Sequence, residues 1–239
     1  MFTNRFFQYK TPKQILVLLV TGALISCNET VEPNISDFGY EYYPMEVGAY
    51  RIYYTSIIRH NLDGSIDTTK YLVKEVAEDS IIYTDGSTRI VLGRYSADLN
   101  ETKWRKDSLW AVLRDEAKII VSEANIDFIK LIFPVKESIT WDGNASNSKL
   151  LESYRMEEVG KTYAYDTLSY NNTLTVVQAD LLDPAKITSD DYRVEVFAAN
   201  IGLVYKLNSK INYCSSCVEN GKIDEGYIFE QKLIEFGKE

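Results

Sequence analysis

Cys214-Ser215-Ser216-Cys217 is the spacing in this chain best suited to chemistry. Two thiols separated by two residues can form a redox pair, supply half of a zinc site, or close a local disulfide. A thioredoxin-type pair places its first thiol at a helix N-terminus, where the thiolate is stabilised. The flanks here, INYCSSCVENGK, read instead as a polar loop between two strands, with no βαβ pattern around them. A zinc centre needs about four ligands, whereas the chain has no second CxxC and a single histidine, His60. Two thiols this close pair in an oxidising compartment. A Cys214–Cys217 disulfide is the leading expectation, with a redox-active pair and a metal-bound or reduced form behind it. The closed ring is small, so its effect on stability is expected to be small.

The remaining candidates are weaker. His60 falls at the end of a strand-like run just before an Asp-Gly turn, and reads as a turn histidine rather than a base. No Gly-x-Ser-x-Gly elbow supports a serine hydrolase. No GxxxxGK[ST] or GxGxxG supports a nucleotide site. Asp180, Asp183, Asp190 and Asp191 lack the EF-hand pattern of alternating oxygen ligands ending in Glu, and read as a solvated loop. Acids are too numerous for two to be singled out as a glycosidase pair without geometry. Tyr40, Tyr42, Tyr43, Tyr50, Tyr53 and Tyr54 cluster and could line a sugar- or lipid-binding groove, although strand tyrosines more often cover a sheet edge. These residues give no catalytic constellation, so the expectation is a non-enzyme with no cofactor and no metal.

Cys27 has a different setting. Residues 1–14 carry Arg5, Lys10 and Lys13 and no acid, and residues 15–25, ILVLLVTGALI, are uncharged. A basic start, a short apolar run and a small residue form a secretory signal peptide. The run is shorter than the roughly 20 residues a membrane-spanning helix needs. Leu24-Ile25-Ser26-Cys27 resembles a bacterial lipobox. That resemblance implies cleavage before Cys27, acylation of its thiol, and anchoring by two or three acyl chains, each buried CH₂ contributing about 0.8 kcal/mol. Three domains of function follow along the chain: 1–26 signal peptide, 27–39 lipid-attached flexible tether, and 40–239 a single β-rich domain. Removing 26 of 239 residues and their three bases takes the net charge from −9 to −12. Such a chain is a poor partner for nucleic acid or for an anionic membrane surface. The expected partners are the membrane, through the acyl chains, and an envelope protein or apolar ligand. The expected location is the cell envelope, at the outer membrane.

The domain must be built mostly of strands. Tyr numbers 18, Phe 9 and Trp 3, and aromatic and β-branched residues favour sheets. Strand-like runs include 50–58, 70–77, 80–84, 88–96, 110–114, 118–123, 126–133, 152–159, 173–179, 192–199, 203–211 and 227–236. Asp63-Gly64 and Asp85-Gly86 mark hairpins. Residues 101–118 could be helix but favour strands. In YRVEVFA, alternation places Tyr192, Val194, Val196 and Ala198 on one face and Arg193 and Glu195 on a wet one. Connections too short for βαβ crossovers give a mainly β fold: an antiparallel meander forming a curved sheet, half-barrel or sandwich, with at most one or two short helices.

Four stretches, YYPMEVGAYRIY (42–53), KLIFPVKESITWDGN (130–144), ANIGLVYK (199–206) and YIFEQKLIEFGK (227–238), resemble a family of uncharacterised lipoproteins from Bacteroidota-type bacteria. The resemblance implies a lipobox signal followed by a β-rich domain, and no particular activity. The same residues have local readings: Pro134 ends a strand, Gly143 sits in a turn, and Gly202 permits positive φ before a strand. The expected function is a lipid-anchored envelope protein with a structural, accessory or ligand-binding role. The alternatives are a half-barrel carrier of an apolar or lipid ligand and a CxxC redox protein.

Overall fold

A computed structural model describes residues 38–101 and 103–239. The signal peptide, Cys27 and most of the tether lie outside the described residues. Phe38 stacks on Tyr40, and its carbonyl accepts from Val135 N at 2.9 Å. Packing on the domain therefore reaches the last two residues of the expected tether.

Among the described residues, one 3-10 turn, Tyr40–Tyr42, precedes twelve strands. They are β1 (Ala49–His60), β2 (Ile66–Ile82), β3 (Thr88–Ala97), β4 (Arg105–Arg114), β5 (Lys118–Glu123) and β6 (Ile126–Ile132). Then follow β7 (Thr140–Asp142), β8 (Ser153–Tyr165), β9 (Leu168–Leu181), β10 (Ser189–Ala198), β11 (Gly202–Tyr213) and β12 (Ile223–Lys238). The expectation of a mainly β antiparallel meander holds, and the ambiguous 101–118 stretch carries β4 over Arg105–Arg114 and the first residue of β5. The expected strands 70–77 and 80–84 are one strand, β2. Its register shifts between Ala77 and Asp79, so a bulge at Glu78 bends the strand without ending it.

The sheet order is β6-β5-β4-β3-β2-β1-β12-β11-β10-β9-β8-β7, antiparallel throughout. The first and last strands pair along their length, from Ala49↔Lys238 to His60↔Gly226. The meander thus nearly closes into a barrel-like sheet, with its seam in mid-chain between β6 and β7. Ile129 N donates to Gly143 O across that seam at 2.9 Å, and Trp141 Nε1 donates to Ile129 O at 2.9 Å. Asp142 Oδ1 accepts from Asn144 N and Glu152 N, which holds the Trp141–Asn144 turn in place. A Cβ at Gly143 would overlap the Tyr154 ring. The 130–144 stretch is therefore seam architecture.

Curvature gives each strand an inner face, and the inner faces supply the core. Ile90, Leu92, Val112, Ile119, Val121, Leu131, Met156, Leu174, Val176 and Phe197 form the larger cluster. A second cluster joins Tyr53, Val73, Val196, Ala198, Val204 and Leu233. The β8–β9 hairpin reaches it by breaking register between Glu157 and Tyr163, with Glu158 and Gly160 at positive φ. That bend packs Tyr163 and Tyr170 on the second cluster, and Tyr165 Oη donates to Leu233 O at 2.6 Å. Consequently β10 is buried on both faces: Val196 and Ala198 belong to one cluster, Phe197 to the other. The wet face expected for β10 does not exist, and Glu195 is only 2% exposed. Alternation gave the phase of the strand, but the face of Glu195 and Phe197 turns into the interior of the curved sheet, while the β8–β9 tyrosines cover the opposite face at Val196 and Ala198.

Candidate functional site

The larger core does not fill the interior. A cavity of about 370 Å³ lies among residues of β1–β6 and β10–β12. Its inward positions follow the strand period: Arg51, Tyr53, Ile57 and Arg59 on β1, Tyr71 and Glu75 on β2, Tyr227, Phe229 and Gln231 on β12. Arg59 is exposed, and Ile57, Tyr71, Asn208, Tyr227 and Phe229 are half-buried, whereas Arg51, Glu75, Lys130, Glu195 and Gln231 are buried. The cavity therefore opens near the β1–β2 hairpin end of β1 and has its floor around Glu195.

The floor is an ion cluster. Lys130 Nζ lies 2.7 Å from Glu123 Oε1 and 2.9 Å from Glu195 Oε1, and Lys206 Nζ lies 2.9 Å from the same Glu195 oxygen. Burial disfavours the charges of Glu123, Lys130 and Glu195, but the opposite charges outweigh it. Despite burial, Lys130 and Lys206 hold the Glu195 carboxyl below the usual carboxylate range. Glu123 is shifted the same way, burial again being overcome by Lys130 and then Lys206. Burial pulls on Lys130 too, and Glu123 and Glu195 raise it above an ordinary lysine regardless. All three groups stay ionised at neutral pH.

Around the floor sit two further cationic groups with different partners. Arg94 Nε is 3.0 Å from Glu75 Oε1, and its guanidinium lies 3.8 Å from the centre of the Trp110 ring, a cation–π contact. Arg51 bonds backbone carbonyls, donating from Nε to Ile201 O and from Nη2 to Pro44 O at 3.4 Å. Gly202 makes room for it: φ is +94°, and a Cβ there would come within 2.8 Å of Arg51 Nε. The positive φ expected at Gly202 is present, and the close approach of Arg51 is a second reason for glycine. Burial raises the Tyr43 and Tyr53 phenols well above an ordinary tyrosine, so both offer neutral hydroxyls; Tyr53 Oη donates to Leu203 O at 3.1 Å. Among the described residues, Glu195 Oε2 and Gln231 Nε2 are buried without a hydrogen-bond partner.

The residues singled out from sequence are mostly elsewhere. Cys214 and Cys217 form a disulfide, S–S 2.02 Å, in the β11–β12 loop and do not line the cavity. His60 ends β1 and does not line it either. Asp183 accepts from the backbone N–H groups of Ile187 and Thr188, which lower its pKa to about 2. Asp190 accepts from Asp183 N and Tyr213 Oη. These acids fasten their own loop, and no metal-holding group of three His, Cys, Asp or Glu occurs among the described residues. Of the tyrosine cluster, Tyr43 and Tyr53 reach the cavity; Tyr42 donates to Asn172 Oδ1, Tyr40 to Glu116 O and Tyr50 to Glu235 Oε1.

Sequence reasoning missed the ion cluster. Its signal was a charge set inside an apolar strand: Lys130 in FIKLIF and Glu195 in VEVF. Such a charge faces water when one side of a sheet is wet, and only the tertiary closure shows that these do not.

No family model matches the chain, and no curated protein does. Among solved structures, the chain is similar to a Bacteroides fragilis protein of YmcC-like fold that is described as exported. That similarity has a TM-score of 0.43 at 13% identity and covers 82% of this chain and 98% of the other.

Proposed function

We propose that the protein is a lipid-anchored cell-envelope lipoprotein whose barrel-like domain is a ligand-binding module rather than an enzyme. The lipobox-like Leu24–Cys27 stretch supports the anchor, with export to the envelope and the outer membrane as its destination. The observation that carries the binding role is the 370 Å³ cavity, open at one end and floored by the Glu123–Lys130–Glu195–Lys206 cluster, in which Lys130 and Glu195 are buried. Its size falls within the roughly 300–1,000 Å³ of small-ligand sites, and its mixed apolar and convergent polar lining is typical of them. A purely structural core of this chain would gain stability by filling that space, since an empty volume forfeits contacts along its walls.

The floor also weighs against the apolar-carrier alternative. An acyl chain laid on Glu195 and Lys206 would strip water from charged groups and return no hydrogen bonds. The Cys214–Cys217 pair lies outside the cavity, which weighs against a redox centre there.

Two measurements test the reading. Cys27→Ser is expected to abolish acyl labelling and to move the protein from the membrane pellet to the soluble fraction; a variant that still partitions with detergent would refute the anchor. Native mass spectrometry of the full-length wild-type protein, released gently from its own membranes, is expected to show a bound small molecule or to acquire one from an envelope extract. A protein that stays unliganded in both conditions is not a binding module.

A further inference from the structure

Building on the binding-module reading, we propose that the cavity takes an acidic saccharide: a pyranose oligomer bearing carboxylates, such as a uronate. The polar lining has both signs. Arg51, Arg59, Arg94, Lys130 and Lys206 face Glu75, Glu123 and Glu195, an excess of two positive charges inside a chain whose net charge is −9. A compact polyanion such as phosphate would meet the cations but would stand against three carboxylates. A neutral apolar ligand would satisfy neither. Saccharide hydroxyls both donate and accept, so they can serve the carboxylates and the cations together.

The carboxylate of the ligand has its own partners. Among the described residues, neither Arg51 nor Arg59 lies within ion-pair distance of an acid; Arg51 is held by two carbonyls at the floor, and Arg59 stands exposed at the mouth. Guanidinium forks bind carboxylates bidentately. Between them in register lie Tyr71, opposite Thr55, and Phe229, opposite Ile57, with Tyr227 opposite Arg59; these rings give flat apolar faces against which the C–H face of a pyranose can lie while its hydroxyls point to the polar groups. Glu195 Oε2 and Gln231 Nε2, an acceptor and a donor on side chains 2% and 3% exposed, have no protein partner. Leaving such groups unmatched is costly, and a polyhydroxylated ligand offers both complements.

The test is calorimetric titration of the detergent-solubilised full-length protein with trigalacturonate, with maltotriose as the neutral counterpart and palmitate as the apolar one. Trigalacturonate is expected to bind at least tenfold more tightly than maltotriose. Arg59→Gln, at an exposed position that leaves the core untouched, is expected to weaken trigalacturonate about tenfold with an unchanged melting temperature. Equal affinity for the neutral trimer, or full affinity in Arg59→Gln, would overturn the acidic-saccharide assignment. Palmitate binding without saccharide binding would overturn it too while leaving the binding module standing. If none of the three probes binds and the native protein is also unliganded, both readings fall together.

Discussion

Glu195 accepts from two lysines through one oxygen, and each lysine depends on it. Lys130 is 7% exposed and Glu195 2%, and removing Glu195 leaves Lys206 without its acid and Lys130 on Glu123 alone. Breaking such a pair from one side costs roughly 3–5 kcal/mol, more than the intact pair contributes over a well-packed apolar replacement. The pH dependence follows from the direction of the shifts. Glu123 and Glu195 have folded pKa values below their unfolded ones, so their stabilisation is complete above about pH 4.3 and declines as the pH falls through the folded values. Lys130 is raised; its share is complete below about pH 10.4 and fades only above that. Urea unfolding followed across pH is therefore expected to show Glu195→Gln several kcal/mol less stable than wild type at pH 7. The gap should narrow below about pH 4, as the Glu195 carboxyl of the unfolded wild-type chain takes up its proton while that of the folded chain stays ionised down to about pH 2. A gap that stays constant from pH 7 to pH 3 would show that the Glu195 pKa is the same in the folded and unfolded chain, so that the lysines do not lower it.

At the scale of elements, the seam between β6 and β7 is the thin place in an otherwise continuous ladder. β7 is three residues long and pairs only with β8, and β6 is bridged to it through the Ile129–Gly143 and Trp141–Ile129 bonds. Trp141→Phe keeps the ring but removes the indole donor and leaves the Ile129 carbonyl one partner short. A loss of about 1 kcal/mol is expected. Native-state hydrogen exchange should report it locally, with the Ile129 amide exchanging faster while amides of the β1–β12 pair are unaffected. Equal protection at both places would mean that the seam is held by packing rather than by these bonds. The element best read from sequence was the hairpin: Asp63-Gly64 and Asp85-Gly86 turns, with Gly64 and Gly86 at positive φ, fall where the strand-like runs require them. The element worst read was β10, since alternation in YRVEVFA distinguishes two faces without saying what covers each.

For the whole molecule, the pairing of β1 with β12 joins the first and last strands of the described residues. β12 lies between β1 and β11, so it contributes two ladders and the cavity residues Tyr227, Phe229 and Gln231. Truncation after Gly221 is expected to leave two open edges and no cooperative thermal transition, whereas a meander that did not close would lose only an edge strand and still melt cooperatively; calorimetry distinguishes the two. The sequence by itself determined the strand content, the hairpin turns, the antiparallel meander and the lipobox-like Cys27 stretch, because each rests on near-neighbour chemistry: period-two alternation, turn residues, and an apolar run ended by a cysteine. It also placed Tyr43 and Tyr53 among candidate ligand residues. Only the tertiary structure decided that the meander nearly closes with its seam at Trp141. It alone buried β10 on both faces and brought Glu123, Lys130, Glu195 and Lys206, from four strands, within ion-pair distance around a cavity. A charge in a strand looks the same in sequence whether it faces water or a cavity. The difference arises from curvature and covering layers, which are properties of many strands acting together.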